Sequence, residues 1–397
     1  MRATAPYFRA SVVALAIAML TGALFRGMVA WGWDLRVALP NVRHAHSHLM
    51  FFGWVSPAIM AMIAARVSSM TGRAPSAGMH HAIGASLVLG IASWPLFLVY
   101  GYTSAQIGSA RVPPAVIVSG LAMIAWYGFA LAYARATRGL SRRGRPGSGA
   151  LVAWDLAIGM LCISTVAAWS LAMIRPLGLD PAYWTPILMH AFVDPFSEGW
   201  LVLGVLGIVR AQGRTERSTG SLWLIALGAP LAFALAAPQG SLPLPLRMVG
   251  ALGGIAWSIG LLREVSVAQR SLPLALGALA ALARLVVSAS PWIDWTAWTG
   301  LRLVYLHVLL LGFVSLALLE LARVALGVSV RRTLVRVAAL AVIASLLPLS
   351  EISPWTGIEP LRLAALVALA PPLVLAYAMT TGTRAISPSN SLPPIVR

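Results

Sequence analysis

Apolar residues recur along this chain in runs of about 20, separated by short segments rich in Pro, Gly and Arg. A run of that length crosses a hydrocarbon layer as a helix, since each residue rises about 1.5 Å and the layer is about 30 Å thick. The pattern predicts twelve spans, at approximately 10–31, 43–66, 80–101, 114–138, 151–174, 185–210, 220–238, 244–263, 271–290, 299–323, 333–350 and 359–380. The fold expected is therefore all-α, a polytopic membrane bundle forming a single helical domain over 1–380. The polar tail 381–397, with Ser387-Pro388-Ser389-Asn390-Ser391, is expected to be disordered. The first run follows Arg2 and Arg9 as in a signal peptide, but it continues to about Trp31 without a convincing cleavage site. It is read as a retained span. No internal repeat supports a transporter built from two halves.

Composition narrows the class further. Hydrophobic residues make up 59% of the 397 and charged residues 10%, with mean hydropathy +0.84. Soluble proteins carry about 25% charge, so a cytosolic globular enzyme and a disordered chain are both excluded. The net charge is +18, from 29 basic residues, all Arg, against 11 acids. With the N-terminus in the cytoplasm, 20 Arg fall on the cytoplasmic side and 9 on the outer side. The loop 135–145 alone holds five. Four acids on the cytoplasmic side and five outside leave +16 and +4, and Asp194 and Glu198 within the membrane supply the remaining −2. The basic balance is a topology signal and needs no nucleic acid. Trp31, Trp33, Trp184, Trp292, Trp295, Trp298 and Trp355 cluster near outer span ends, as an interfacial belt should. The single Cys162 excludes an intrachain disulfide and a CxxC site.

Five of the seven histidines share one depth. His44, His46 and His48 open span 2, His190 lies early in span 6 and His307 early in span 10, all three spans starting at the outer face. Imidazole is the usual ligand for haem iron, copper and zinc, and a shared depth is what a shared cofactor requires. At 100° per residue His44 and His48 share a face, with His46 almost opposite. His190, Asp194 and Glu198 recur every four residues and form one stripe of span 6. Ionisable groups at that depth normally face a cavity, a metal or a proton path. The blander alternatives are polar trimming of helix ends for the span-2 cluster, a hydrogen-bonded packing residue for His307 and a structural polar patch for the stripe. His80 and His81 read as an interfacial pair at the opposite end.

The layout, with His in spans 2, 6 and 10, resembles subunit I of the haem–copper oxidase and nitric oxide reductase superfamily. In that superfamily a span-2 and a span-10 His clamp a low-spin haem. The stretch from His46 to Trp54 is similar to the span-2 motif, and Tyr305-Leu306-His307 to the span-10 His-x-His, with Tyr at the high-spin position. His190-x3-Asp194-x3-Glu198 resembles the reductases' span-6 His-x3-Glu-x3-Glu, whose His and first Glu bind non-haem iron. Span 7 lacks the superfamily's His pair, so the binuclear site is incomplete. Short NnrS-like membrane haem proteins associated with nitric oxide stress are closer: Arg43–Trp54 resembles their span 2, and Ala322–Gly327 a later motif. A group of short oxidase subunit I-like proteins has a similar span 2.

This resemblance implies a subunit I-like bundle in a bacterial inner membrane, both termini cytoplasmic, with haem b held by His46 and His307. It implies a second pocket of His190, Asp194, Glu198 and Tyr305, in which His190 and Asp194 would hold copper, non-haem iron or zinc. His44 and His48 would bond the haem propionates or join that pocket, with Arg43 and Arg302 as further propionate partners. The activity implied is electron transfer in nitric oxide or nitrogen-oxide metabolism. Two alternatives stay open: an active oxidoreductase (NO or oxygen reduction, quinol oxidation) with an atypical second site, and a metal- or proton-coupled transporter or assembly factor. Quinol or cytochrome c is the electron donor implied.

Overall fold

The computed structural model describes residues 2–143, 147–213, 218–238, 240–267, 271–355 and 357–381. Tail residues 382–397 and the topology-bearing Arg145, Arg214, Arg217, Arg270, Arg384 and Arg397 lie outside the described residues. The protein is all-α and polytopic. Eleven helices among the described residues are long and apolar enough to cross a membrane: Ala5–Trp31, Leu39–Thr71, Ala77–Tyr100, Pro114–Thr137, Ser148–Met173, Pro181–Arg210, Leu244–Ser266, Leu272–Ala289, Thr299–Leu326, Arg332–Leu349 and Ile358–Met379. The apolar 17-residue helix Gly220–Ala236 stands where span 7 is expected. These are spans 1–12 in chain order. One short antiparallel hairpin, Ala105–Ile107 with Ala110–Val112, joins spans 3 and 4.

Burial sorts the spans into two shells. In their most apolar stretches spans 2, 6 and 10 are 83%, 83% and 61% buried, whereas the other eight long spans are 33–50% buried. Three inner spans are therefore ringed by spans that keep one apolar face for lipid. The three inner spans are separated by four in sequence and share a further feature. Each changes to π-helix at the same point, over Leu49–Val55, Pro195–Leu201 and Val308–Ser315. Such widened turns interrupt the i→i−4 ladder and concentrate near functional groups.

Aligned on these segments, the inner spans repeat one pattern: Gly53, Gly199 and Gly312, each followed by an aromatic residue (Trp54, Trp200, Phe313), then two residues on by Ser56, Val202 or Ser315. Trp54 Nε1 donates to Ser315 Oγ at 2.9 Å, and Trp200 Nε1 donates to Ser56 Oγ at 3.2 Å. Span 2 thus reaches span 10, and span 6 reaches span 2. At the third position Phe313 and Val202 have no groups to bond, and both are fully buried. A Cβ on Gly53, Gly199 or Gly312 would stand 2.6, 2.7 or 2.9 Å from the nearest neighbouring atom, so these positions are tightly packed. This short Gly-aromatic-aliphatic pattern occurs once on each inner span, four spans apart in sequence.

Packing differs on either side of the π segments. Beyond them, Ser56–Thr71 buries nearly every residue through Val67, and Val202–Arg210 buries all but Val209. On the histidine side, Leu39–His48 buries only Val42 and Ala45, and Thr299–His307 only Gly300. The inner spans are thus close-packed beyond the π segments and less buried on the histidine side. The start of span 10 is fixed from outside its own helix. The Glu351 carboxylate accepts from the backbone N–H groups of Gly300 and Leu301, both at 2.8 Å. It satisfies two donors that a helix start leaves open. Partial desolvation pushes the Glu351 carboxyl up, but these two N–H groups and the Thr299 hydroxyl outweigh it and hold the group below the usual carboxylate range.

Candidate functional site

The structure separates the five histidines into three settings. His46 and His307 meet across the span 2–span 10 interface, with ring centres 6.4 Å apart and planes inclined by 11°. Each ring is fixed by its backbone. His46 Nδ1–H donates to Ala18 O on span 1 at 2.7 Å, and His307 Nδ1–H donates to Leu303 O, one turn earlier, at 2.8 Å. That arrangement leaves Nε2 of each imidazole as its lone-pair nitrogen. A hydrogen-bonded carbonyl behind a ring is also the usual support for a metal-ligating histidine. Gly22 on span 1 makes room for the His46 ring, since a Cβ there would lie 2.9 Å from Cε1 and 3.0 Å from Nδ1.

Arg26, also on span 1, lies within electrostatic reach of both rings and donates a hydrogen bond to Ser345 Oγ of span 11. Sequence reasoning counted Arg26 only as a topology charge. Its signal was an arginine inside the last turns of an apolar span, where a charge needs a partner.

The second setting is the span-6 stripe. His190, Asp194 and Glu198 are all buried, at 7%, 3% and 1% exposure. Span 10 faces them: Tyr305 Oη donates to Glu198 Oε1 at 2.7 Å, and Arg302 lies 2.6 Å from His190 Nδ1 and 3.3 Å from both His190 Nε2 and Asp194 Oδ1. Arg284 of span 9 completes the group, with Nε 3.4 Å from Glu198 Oε1 and Nη2 donating to Ala232 O at 3.1 Å. Two carboxylates thus face two guanidinium groups. One oxygen of each carboxylate, Asp194 Oδ2 and Glu198 Oε2, is buried without a hydrogen-bond partner among the described residues. Arg284 was absent from the sequence-based set because span 9 carries no histidine to single it out.

In the third setting His44 and His48 turn away from the His46 ring, as helical spacing required. His48 stacks on Phe97 at 3.8 Å, its Nε2 is 3.1 Å from Tyr102 Oη and its Nδ1 is 3.3 Å from Ser119 Oγ. His44 packs edge-on against Tyr102 at 4.6 Å. These contacts are with spans 3 and 4.

The site residues expected from the sequence are therefore not all brought together. His44 and His48 make their contacts with Phe97, Tyr102 and Ser119, apart from the His46–His307 pair and the span-6 stripe. Arg43 is exposed beside His44, and Arg302 is spent on His190 and Asp194. Neither contacts His46 or His307, whereas Arg26 lies within electrostatic reach of both rings. A shared metal at His190 and Asp194 is opposed by the Arg302 guanidinium, which contacts both side chains where a cation would be needed. No group of three His, Cys, Asp or Glu that could hold a metal ion occurs among the described residues. His80 packs near Tyr7 at the opposite end, 5.8 Å between ring centres.

No protein-family model matches the chain, and no curated protein matches it.

Proposed function

We propose that this chain is a membrane b-type haem protein in which His46 and His307 supply both axial ligands. The observation that carries this reading is the imidazole pair. These two side chains would hold the iron: their ring centres lie 6.4 Å apart with planes inclined by 11°, and each ring is fixed through Nδ1 on a backbone carbonyl. The carbonyls of Ala18 and Leu303 set both tautomers for ligation through Nε2.

Bound there, haem supplies reversible one-electron chemistry. His46 and His307 together leave no ligand position free, so the chain would carry electrons and would not bind gas at that iron. Arg26 would offset the negative charge of propionate groups. Tyr305, Glu198, Asp194 and Arg302 form a polar network behind the pair, able to hold protons near it. The resemblance of Arg43–Trp54 to NnrS-like proteins supports a role for this electron transfer in nitric oxide or nitrogen-oxide metabolism. The excess of Arg at one end supports a bacterial inner membrane with cytoplasmic termini, which would put the histidine end outside. Quinol or cytochrome c would reach it there.

The test is a reduced-minus-oxidised spectrum of the purified chain. A sharp low-spin b-type band, unmoved by CO and abolished by His46→Ala and by His307→Ala, is the result expected. A band that shifts with CO would replace electron carriage with a gas-reactive site, and a band that survives either substitution would refute the ligand assignment. Absence of haem from protein purified out of haem-replete membranes would leave only the transporter or assembly reading.

A further inference from the structure

A second polar concavity lies at the histidine end, independent of the haem reading. The hairpin between spans 3 and 4 sets Gln106 opposite Arg111. With Tyr102, Thr103 and Ser104, and with Arg175 from the turn after span 5, these residues line a cavity of about 590 Å³. That volume is in the range of small-ligand sites, about 300–1,000 Å³. Every lining side chain is polar, two are guanidinium groups and none is a carboxylate.

The charge in this cavity is not balanced by an acid among its lining residues. Arg142, Arg210, Arg284, Arg302, Arg336 and Arg362 each pair with an acid. Arg111 and Arg175 have no carboxylate within ion-pair distance among the described residues, although they come from separate elements to one cavity. Two like charges brought together repel, and an anion between them reverses the sign of that term. A guanidinium presents a planar fork of donors that fits the oxygens of a phosphate two at a time. Ser104 adds a hydroxyl donor, while Thr103 and Gln106 are held by bonds to Tyr100 O and Gly108 O that shape the wall.

The surroundings are those of a membrane edge. Tyr102 lines the cavity and reaches inward to His48. Val99, Ile117 and Leu177, close in sequence to the cavity residues, are 68%, 45% and 63% exposed. They give acyl chains an apolar surface at the same end of the bundle as the cationic cavity.

We propose that this cavity binds a phosphate group, either a phospholipid headgroup or a free phosphate. The full chain, purified in a neutral detergent, is titrated with phosphatidylglycerol, with inorganic phosphate and with a phosphate-free galactolipid of the same acyl chains, following the thermal unfolding midpoint. The variants are the double substitution Arg111→Gln/Arg175→Gln, on exposed positions that leave the core intact, and Arg135→Gln at the opposite end. Saturable stabilisation by phosphatidylglycerol, weakened at least about tenfold in the double variant and unchanged in Arg135→Gln, assigns a lipid headgroup; each lost charge-assisted bond accounts for about tenfold. The same result with inorganic phosphate alone assigns the free anion. Equal stabilisation by the galactolipid, undiminished binding to the double variant, an equal loss in Arg135→Gln or no saturable stabilisation by either phosphate source overturns the proposal.

Discussion

Arg284 and Glu198 offer the sharpest test of how the polar network is held in the membrane. Their side chains are 8% and 2% exposed, so water screens neither charge. The two are 3.4 Å apart, an ion pair by distance, with Arg284 Nε not aligned for a hydrogen bond. Arg284→Met leaves Glu198 and Asp194 facing Arg302 alone, an excess negative charge buried in the bundle. Breaking a buried pair from one side costs about 3–5 kcal/mol, mostly because the other charge is left uncompensated. Glu198→Gln strands Arg284 instead, although its bond to Ala232 O and the Tyr305 bond to residue 198 can both persist. The double variant Arg284→Met/Glu198→Gln removes both charges and leaves the Asp194–Arg302 pair balanced. It is expected to lie within about 1–2 kcal/mol of the parent, well below the sum of the two single costs, so the coupling between the two sites is at least about 2 kcal/mol. Reversible unfolding in mixed detergent micelles measures all four proteins, and a coupling of about 2 kcal/mol is a change of roughly 30-fold in the unfolding constant. A coupling below about 1 kcal/mol would show that the two charges are solvated independently, and the network argument would fail.

Two further outcomes follow from single contacts. Gly22→Val should displace the His46 ring, whose nearest atom lies 2.9 Å from the position of a Cβ there; loss or broadening of the low-spin band is expected, with Gly22→Ala intermediate, and an unchanged band in both would show that the ring does not need that space. Glu351→Gln should lower the unfolding midpoint at neutral pH by weakening the cap on span 10. Because the folded Glu351 carboxyl titrates below its ordinary range, its contribution is present above the unfolded pKa and is lost as pH falls through the folded one. The difference from the parent should shrink in acid, and a gap that is constant from neutral to acid pH would refute the capping role.

How much of the site could be read from the residues differs group by group. His46 and His307 stand at one depth in two apolar runs, and spacing put His46 opposite His44 and His48; the contacts agree. The span-6 stripe was likewise legible, because a four-residue recurrence fixes one helix face whatever surrounds it. Arg302 was legible as a residue near that depth but not in its role. Its long side chain reaches His190 and Asp194 of another span, and no local pattern tells which partner a guanidinium will choose. Arg26 and Arg284 could not be given a role for the same reason, each being a lone charge in an apolar helix whose meaning depends on its neighbour.

The sequence alone determined that this is an all-α membrane bundle and roughly where its spans fall, since hydrophobic run length and helical period are local properties that burial in lipid imposes directly. It also determined which side chains share a face of one helix. Tertiary structure alone decided which spans are inner, that three of them repeat one π-helical pattern, and that the paired imidazoles stand 6.4 Å apart. Those facts depend on packing between segments hundreds of residues apart, where small residues let backbones approach and a few buried polar bonds, such as Trp54 to Ser315, choose one arrangement among many of similar hydrophobicity.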